Sequence, residues 1–354
     1  MLSSLCDDAA FRVFFVALRC RRALGPSYGP VVSFCPEGVE VAETTHMRIA
    51  VMAAGALGGY FGARMAAAGH DVAFIARGSN LDAIKRNGLK VESLHGDLHL
   101  PNPNVTDDPA KVGPVDIVLF AVKLWDSEKA AKQALPMIGP DTRVVPLQNG
   151  VDSAERIAPI LGADNVVAGS AYIATVLSAP GVVTHTSKFA RMLCGRIDGK
   201  PDAQLKAFSD AAHAAGIDIT LSDAINRERW QKFVFLVGLS GATATTRQPL
   251  GPILADSDTR AFFHNLMREV VAVGRAKGVP IPEDFAEDRM KFSEASPPTF
   301  KASMLHDLER GNRLELDWLA GKVVDFGREV GVPTPANQAV YAMLKLHRMG
   351  AQVS

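Results

Sequence analysis

Three groups of residues have the types and spacing to do chemistry. The first is Gly55-Ala56-Leu57-Gly58, which follows the apolar run Arg48-Ile49-Ala50-Val51-Met52 and leads into an alanine-rich stretch, Gly59 to Ala68, stopped by Gly69. With Asp71 to Ala76 as a second apolar run, the order is strand, glycine turn, helix, strand, the context in which such a turn holds a dinucleotide. Gly55 lets the backbone approach a pyrophosphate, and Gly58 lets helix lie close on strand. Ala56 and Leu57 sit at the helix N-terminus, whose free N–H groups face the anion. Ala53 departs from the pattern, placing a methyl group where the turn usually carries none.

The second strand then ends in Arg77, followed by Gly78, Ser79 and Asn80. Folds that hold a ribose 2′-hydroxyl usually place an acid about 20 residues past the turn. An acid would repel a 2′-phosphate, whereas a guanidinium grips one bidentately. Arg77 and the Ser79 hydroxyl therefore point to NADP(H).

The second group is Lys232, inside Asn226-Arg227-Glu228-Arg229-Trp230-Gln231-Lys232-Phe233-Val234-Phe235-Leu236, a strongly apolar helical stretch. A lysine among aromatics either snorkels to the surface or is a partly desolvated amine with a lowered pKa, suited to protonating a developing alkoxide. The pattern alone favours snorkelling. The third group lies in Lys301 to Asp317, where Ser303, Asp307 and Arg310 share a helical face as solvated charges or interhelix pairs. Glu315 is expected to resume an amphipathic helix just past Gly311-Asn312.

The elements that must position these residues alternate in the α/β manner. Val115 to Ala121 reads as a buried strand ending at Val122-Lys123, Asp126 to Leu135 as a helix, and Thr142 to Leu147 as a strand ending at Gln148-Asn149-Gly150. Lys123 and Asn149 thus fall at the carboxyl ends of strands, where open α/β sheets bind ligands. Val166 to Gly195 is expected to hold further strands around a Pro180-Gly181 turn, followed by a helix from Ala203 to Ala215 and a last strand from Ile217 to Leu221. From Ser222 long helical patterns take over. Gly278-Val279-Pro280-Ile281-Pro282 and Gly331-Val332-Pro333-Thr334-Pro335 each fit a C-terminal glycine followed by a proline-started helix. The fold expected is α/β: an N-terminal Rossmann-type dinucleotide-binding domain over residues 47–221, then a mainly α-helical C-terminal domain over 222–354, with the substrate in the cleft between them. Residues 1–46 look like an extension outside the fold, disordered or a misplaced gene start, with Met47 as the true initiator.

The 354 residues suffice for two domains with substantial cores. Lys plus Arg and Asp plus Glu both number 38, so no net charge points to a nucleic-acid partner. Cys6, Cys20, Cys35 and Cys194 show neither metal-ligand spacing nor a disulfide framework, so no metal is expected. With one cysteine beyond residue 46 and no apolar run of membrane-spanning length, a reducing cytoplasm is expected and no membrane.

From Met47 to about Gln352 the chain resembles ketopantoate reductases (2-dehydropantoate 2-reductases). The resemblance rests on Gly55-Ala56-Leu57-Gly58, Arg77, Val122-Lys123, Gln148-Asn149-Gly150, Trp230-x-Lys232, Ser303-Met304-Leu305-x-Asp307, and Glu315-x-Asp317 with Gly321. It implies NADPH-dependent reduction of a small-molecule 2-oxo acid to a 2-hydroxy acid on the route to pantothenate, and it allows a homodimer. It also implies that Lys232 is the general acid and binds substrate, reversing the snorkelling reading. Lys123 and Asn149 then line the cofactor and the catalytic cleft, Ser303 contacts substrate, and Glu315 helps to order the site and the cofactor. The family pattern has asparagines four and eight positions after the lysine, and this chain has Leu236 and Ser240 there. On one helix face, both changes fall on the pocket wall, with Ser240 left as a substrate contact. Losing amides that bind hydroxyls weakens recognition of pantoate, so the resemblance leaves open a related reductase of another 2-oxo acid or ketone, and more remotely a non-catalytic NADP(H) sensor.

Overall fold

A computed structural model describes residues 46–351, so the expectation for the first 46 residues lies, His46 apart, outside the described part. In chain order the first strands are β1 (Arg48–Met52), β2 (Asp71–Ile75), β3 (Leu89–Ser93), β4 (Leu98–Leu100) and β5 (Asn104–Thr106). They are followed by β6 (Ile117–Phe120), β7 (Arg143–Pro146), β8 (Ala168–Ala179), β9 (Val182–Gly195) and β10 (Asp218–Leu221). One sheet is wholly parallel, in the order β5-β2-β1-β6-β7. Its central strands are apolar on both faces because both are covered, which is why they read as continuous rather than alternating runs. The helices α1 (Ala56–Ala67), α2 (Gly78–Asn87), α3 (Ser127–Ala134), α4 (Ser153–Leu161) and α5 (Ala203–Ala214) belong to this α/β part.

A second sheet is built on β9. The antiparallel β8 lies along one side of it, while β3 and β10 lie end to end on the other, pairing with Val182–His185 and Arg191–Cys194 respectively. The expected Pro180-Gly181 turn joins β8 to β9, with Gly181 in the left-handed region at φ 78°. Strands β3, β4 and β5 have no counterpart among the expected elements.

Helix α1 is pressed between the two sheets. A carbon added at Gly62 would meet Val51 Cγ2 at 2.6 Å and Phe74 Cε1 at 2.7 Å in the parallel sheet, and one at Gly58 would strike the Ala53 carbonyl and Val51. One added at Gly59 would meet Val183 Cγ2, on β9, at 3.0 Å. The three glycines of this turn-helix thus serve two interfaces. Gly55 serves neither, with nothing within 4 Å of the position its Cβ would take.

The rest of the chain is helical: α6 (Ile225–Thr246), α7 (Leu250–Ala255), α8 (Ser257–Ala276), α9 (Phe285–Glu294), α10 (Ser303–Glu309), α11 (Ala320–Val330) and α12 (Pro335–Leu344). The core here gathers around Trp230, Phe233, Val234 and Val237 of α6 and Phe263, Leu266, Met267 and Val270 of α8. Gly274 lets Trp230 lie flush on α8, since a carbon there would meet Trp230 Cε3 at 2.8 Å.

Two local expectations change. The Gly331 junction holds, with Gly331 at φ 71° and Pro335 opening α12, but α9 starts at Phe285, beyond Pro282. Val279 and Ile281 are buried, and Arg275 Nη1 donates to the Ile281 carbonyl at 2.8 Å, which holds that stretch out of a helix. Glu315 does not resume a helix. It precedes a single 3₁₀ turn, Leu316–Trp318, and α11 begins only at Ala320. The intervening backbone bonds elsewhere, Leu314 N–H donating to the Arg348 carbonyl at 2.9 Å and Ala351 N–H to that of Gly311 at 2.8 Å.

Gly58→Ala is expected to cost about 1–3 kcal/mol, the usual range for overpacking. Gly55→Ala, with open space around it, should stay within about 0.5 kcal/mol. Urea unfolding of the two variants compares them, and equal losses would remove Gly58 from the packing role.

Candidate active site

Helix α6 turns its apolar face to the helical core through Trp230, Phe233, Val234 and Val237, which leaves Lys232 on the opposite side, half-buried. There its Nζ donates to the Ala171 carbonyl of β8 at 2.6 Å and to Asn149 Oδ1 at 3.3 Å. Asn149 follows β7 and donates its Nδ2 to Glu315 Oε2 at 3.3 Å. One amide thereby joins the lysine to a buried carboxylate, and Tyr172 adds its ring 5.4 Å from the ammonium. Of the two sequence readings of Lys232, the structure takes the desolvated amine. Burial lowers its pKa from the ordinary 10.5 to about 8, with the Glu315 carboxylate opposing the shift. Burial, reinforced by Glu228, raises the Tyr172 phenol above its ordinary value, so it stays protonated.

Asn149 is held from behind. Gln148 is buried and donates Nε2 to the Val122 carbonyl at 2.8 Å and to Ser127 Oγ at 2.9 Å, tying the end of β7 to the segment after β6. Gly150, at φ 94°, then turns the chain. These contacts put Lys232 beyond the carboxyl end of β7.

The rest of that crevice matches what a dinucleotide needs. The N-terminus of α1 follows Gly55 with no acidic side chain in its first turn. Asn80 holds the turn in place, donating Nδ2 to the Ala54 carbonyl at 2.8 Å and accepting from Gly181 N–H at 2.8 Å. Arg77 stands exposed before α2, whose first residues Gly78 and Ser79 are exposed as well. Its Nη2 meets Asp126 Oδ2 at 3.1 Å, a pairing the sequence does not announce.

The opposite wall belongs to the helical part. Ser303 opens α10 and is exposed, and Asp307 of the same helix lies 3.9 Å from Lys123 Nζ across the crevice. Around that contact Arg313 lies over Trp125 at 4.6 Å and over Trp318 at 5.8 Å, joining the segment after β6 to the turn after Glu315. Leu236 is half-buried and Ser240 fully buried, and the Ser240 hydroxyl finds no hydrogen-bond partner among the described residues. The structure therefore brings together Lys232, Asn149 and Glu315 directly, with Lys123 at the rim. Ser303 and Ser240 make no hydrogen bond to this group, and Arg77 lies at the β2 end of the crevice. Sequence reading missed Ala171, whose contribution is a backbone carbonyl with no side-chain signal, and Tyr172, and it gave Asn80 and Gln148 no supporting role.

Other chemistry has less to offer. Among the described residues no group of three or more His, Cys, Asp or Glu is placed to hold a metal ion. Burial pushes the Cys194 thiol up to about 12, which leaves no thiolate. No helix among the described residues is long and apolar enough to cross a membrane.

Comparison with known proteins agrees with this layout. Residues 49–199 match the model of ketopantoate reductase PanE/ApbA, and residues 224–348 that of the ketopantoate reductase PanE/ApbA C terminal region. A 2-dehydropantoate 2-reductase of Mesorhizobium japonicum is 31% identical over 320 residues, covering 84% of this chain and 97% of its own. The crystal structure of a PanE/ApbA family ketopantoate reductase from Ralstonia eutropha superposes with a TM-score of 0.78 at 32% identity, over 85% of this chain and 98% of that one. D-mandelate dehydrogenase, solved with NADH and anilino(oxo)acetate, shares the fold alone, with a TM-score of 0.78 at 20% identity over 85% and 98% of the chains. A parallel nucleotide-binding sheet, a helical partner and matching segments along both place this chain in the ketopantoate reductase PanE/ApbA family of oxidoreductases.

Proposed function

We propose that this protein reduces 2-dehydropantoate to pantoate with NADPH, in the cytoplasmic route to pantothenate, and that Lys232 is its general acid. The observation that carries the reading is the desolvated Lys232 amine, brought to about 8 and hydrogen-bonded to Asn149 at the carboxyl end of β7. In this reading Gly55, Ala56, Leu57 and Gly58 receive the pyrophosphate, Arg77 the 2′-phosphate, and Lys123 and Asn149 the rest of the nucleotide. When bound, the cofactor supplies the hydride for the carbonyl carbon. The protein's part is to hold the 2-oxo acid between Lys232 and Ser303 and to stabilise, then protonate, the carbonyl oxygen from Lys232 Nζ. Glu315, through Asn149, keeps the amine oriented and charged. A pKa near neutrality suits this work, because the acid is protonated at working pH and still gives its proton up readily.

A second reading keeps the chemistry and changes the substrate. Leu236 offers no hydrogen bond and Ser240 is a short, fully buried hydroxyl where the family pattern has a longer amide, which favours a less hydroxylated 2-oxo acid or ketone.

NADPH oxidation at 340 nm by Met47–Ser354 decides between them. With 2-dehydropantoate, kcat/KM of about 10⁴ M⁻¹s⁻¹ or more is expected for an enzyme at work on its own substrate. NADPH binding without that turnover would sink the first reading and leave the second. Lys232→Ala should lose about 10²–10⁴-fold in kcat, the span of general acid catalysis, and still bind NADPH. Near-normal turnover would take the proton-donor role away from Lys232.

The pH profile checks the same assignment. The active form is the protonated amine, so kcat/KM should be constant below about 8 and fall as pH rises through it. Glu315 raises this pKa, so Glu315→Gln should shift the fall to lower pH. A shift toward alkaline pH would contradict the contact.

A further inference from the structure

Arg77 does not stand alone at the end of β2. Its guanidinium makes one ion pair among the described residues, Nη2 to Asp126 Oδ2 at 3.1 Å. Asp126 is set there by the turn it closes, Leu124–Asp126, where its backbone N–H donates to the Lys123 carbonyl at 2.9 Å. The Arg77 side chain is 61% exposed and that of Asp126 31%, so the arginine is the more open of the two. The acid approaches from the segment after β6, so it is absent from the position on β2 where sequence reasoning looks for one.

We propose that Asp126 is a specificity-determining residue that weakens the preference for NADPH over NADH which Arg77 creates. The inference rests on the crevice binding a nicotinamide dinucleotide with Arg77 at the ribose 2′ position. A guanidinium is donor-only and a carboxylate acceptor-only. A 2′-phosphate, with about −1.5 to −2 charges, gains from Arg77 but must displace Asp126 from it and remain close to a like charge. A 2′-hydroxyl meets the opposite balance, because the carboxylate accepts its proton in a hydrogen bond and no phosphate is needed to satisfy Arg77. The pair therefore reads both ends of the choice, and its own charge is zero instead of the +1 of Arg77 alone.

Dissociation constants of NADPH and NADH, from fluorescence titration of the wild type, Asp126→Asn and Arg77→Ala at one ionic strength, test this without any substrate. Asparagine keeps the shape and an oxygen for Arg77 while removing the charge. Asp126→Asn is expected to raise the ratio Kd(NADH)/Kd(NADPH) about tenfold, the scale of one charge acting at a few ångströms near a surface. Arg77→Ala should lower that ratio by at least as much. A ratio within twofold of wild type in Asp126→Asn, with the ratio collapsing in Arg77→Ala, overturns the role of Asp126 and leaves the 2′-phosphate assignment standing. An unchanged ratio in Arg77→Ala overturns both.

Discussion

An ammonium taken out of water must be compensated by its surroundings, and most of the architecture around Lys232 can be understood as that compensation. The Nζ atom finds a carbonyl from β8, an amide oxygen from the end of β7, and through that amide a buried carboxylate from the turn before α11. Three separate parts of the chain have to arrive within about 3 Å of one another for the charge to be tolerated. The result is incomplete compensation: the pKa settles near 8, below that of a free lysine and within reach of neutral pH. Stronger pairing to Glu315 would move the pKa back toward that of a free lysine, and weaker pairing would move it lower.

The two sheets explain how those parts come to meet. Helix α1 can sit between them because Gly58 and Gly62 face one sheet and Gly59 the other. With that helix slim on both sides, β8 and β9 approach the β1 turn closely enough for Asn80 to bond to Ala54 and to Gly181 at once. The same closeness carries Ala171 to Lys232. On the helical side Trp230, seated against Gly274, fixes the rotation of α6 and thereby the direction in which Lys232 points. Packing of small residues on one side and of a large one on the other sets the position of a single amine.

This division also explains what the sequence made legible. The turn at Gly55–Gly58 could be read because backbone requirements show up as glycines next to one another in the chain. The parallel strands could be read because burial on both faces leaves an unbroken apolar run. Lys232 could not be assigned from its neighbours, since the groups that accept its hydrogen bonds lie 61 and 83 residues away, and only the resemblance implied its role. Glu315 was placed on a helix because its local pattern is amphipathic, but the backbone there is committed to the turn at Arg348–Ala351. Strands β3 to β5 escaped notice because none carries an unbroken buried apolar run, their residues alternating with or lying largely toward solvent. Asp126 escaped because its meaning depends on Arg77, which is 49 residues earlier.

Lys232, Asn149 and Glu315 are held by β7, β8 and the segment before α11, and none of their mutual hydrogen bonds passes through Leu236 or Ser240. The group that would protonate a carbonyl oxygen is thus built independently of the residues that would contact the rest of the substrate. Arg77 and Asp126 lie at the β2 end of the crevice and share no hydrogen bond with Lys232, although Ser127, next to Asp126, accepts from Gln148 beside Asn149. Under the roles proposed above, proton donation, substrate contact and ribose recognition rest on different side chains, Lys232, those along α6 beyond it, and Arg77 with Asp126, so one can change while the others stay.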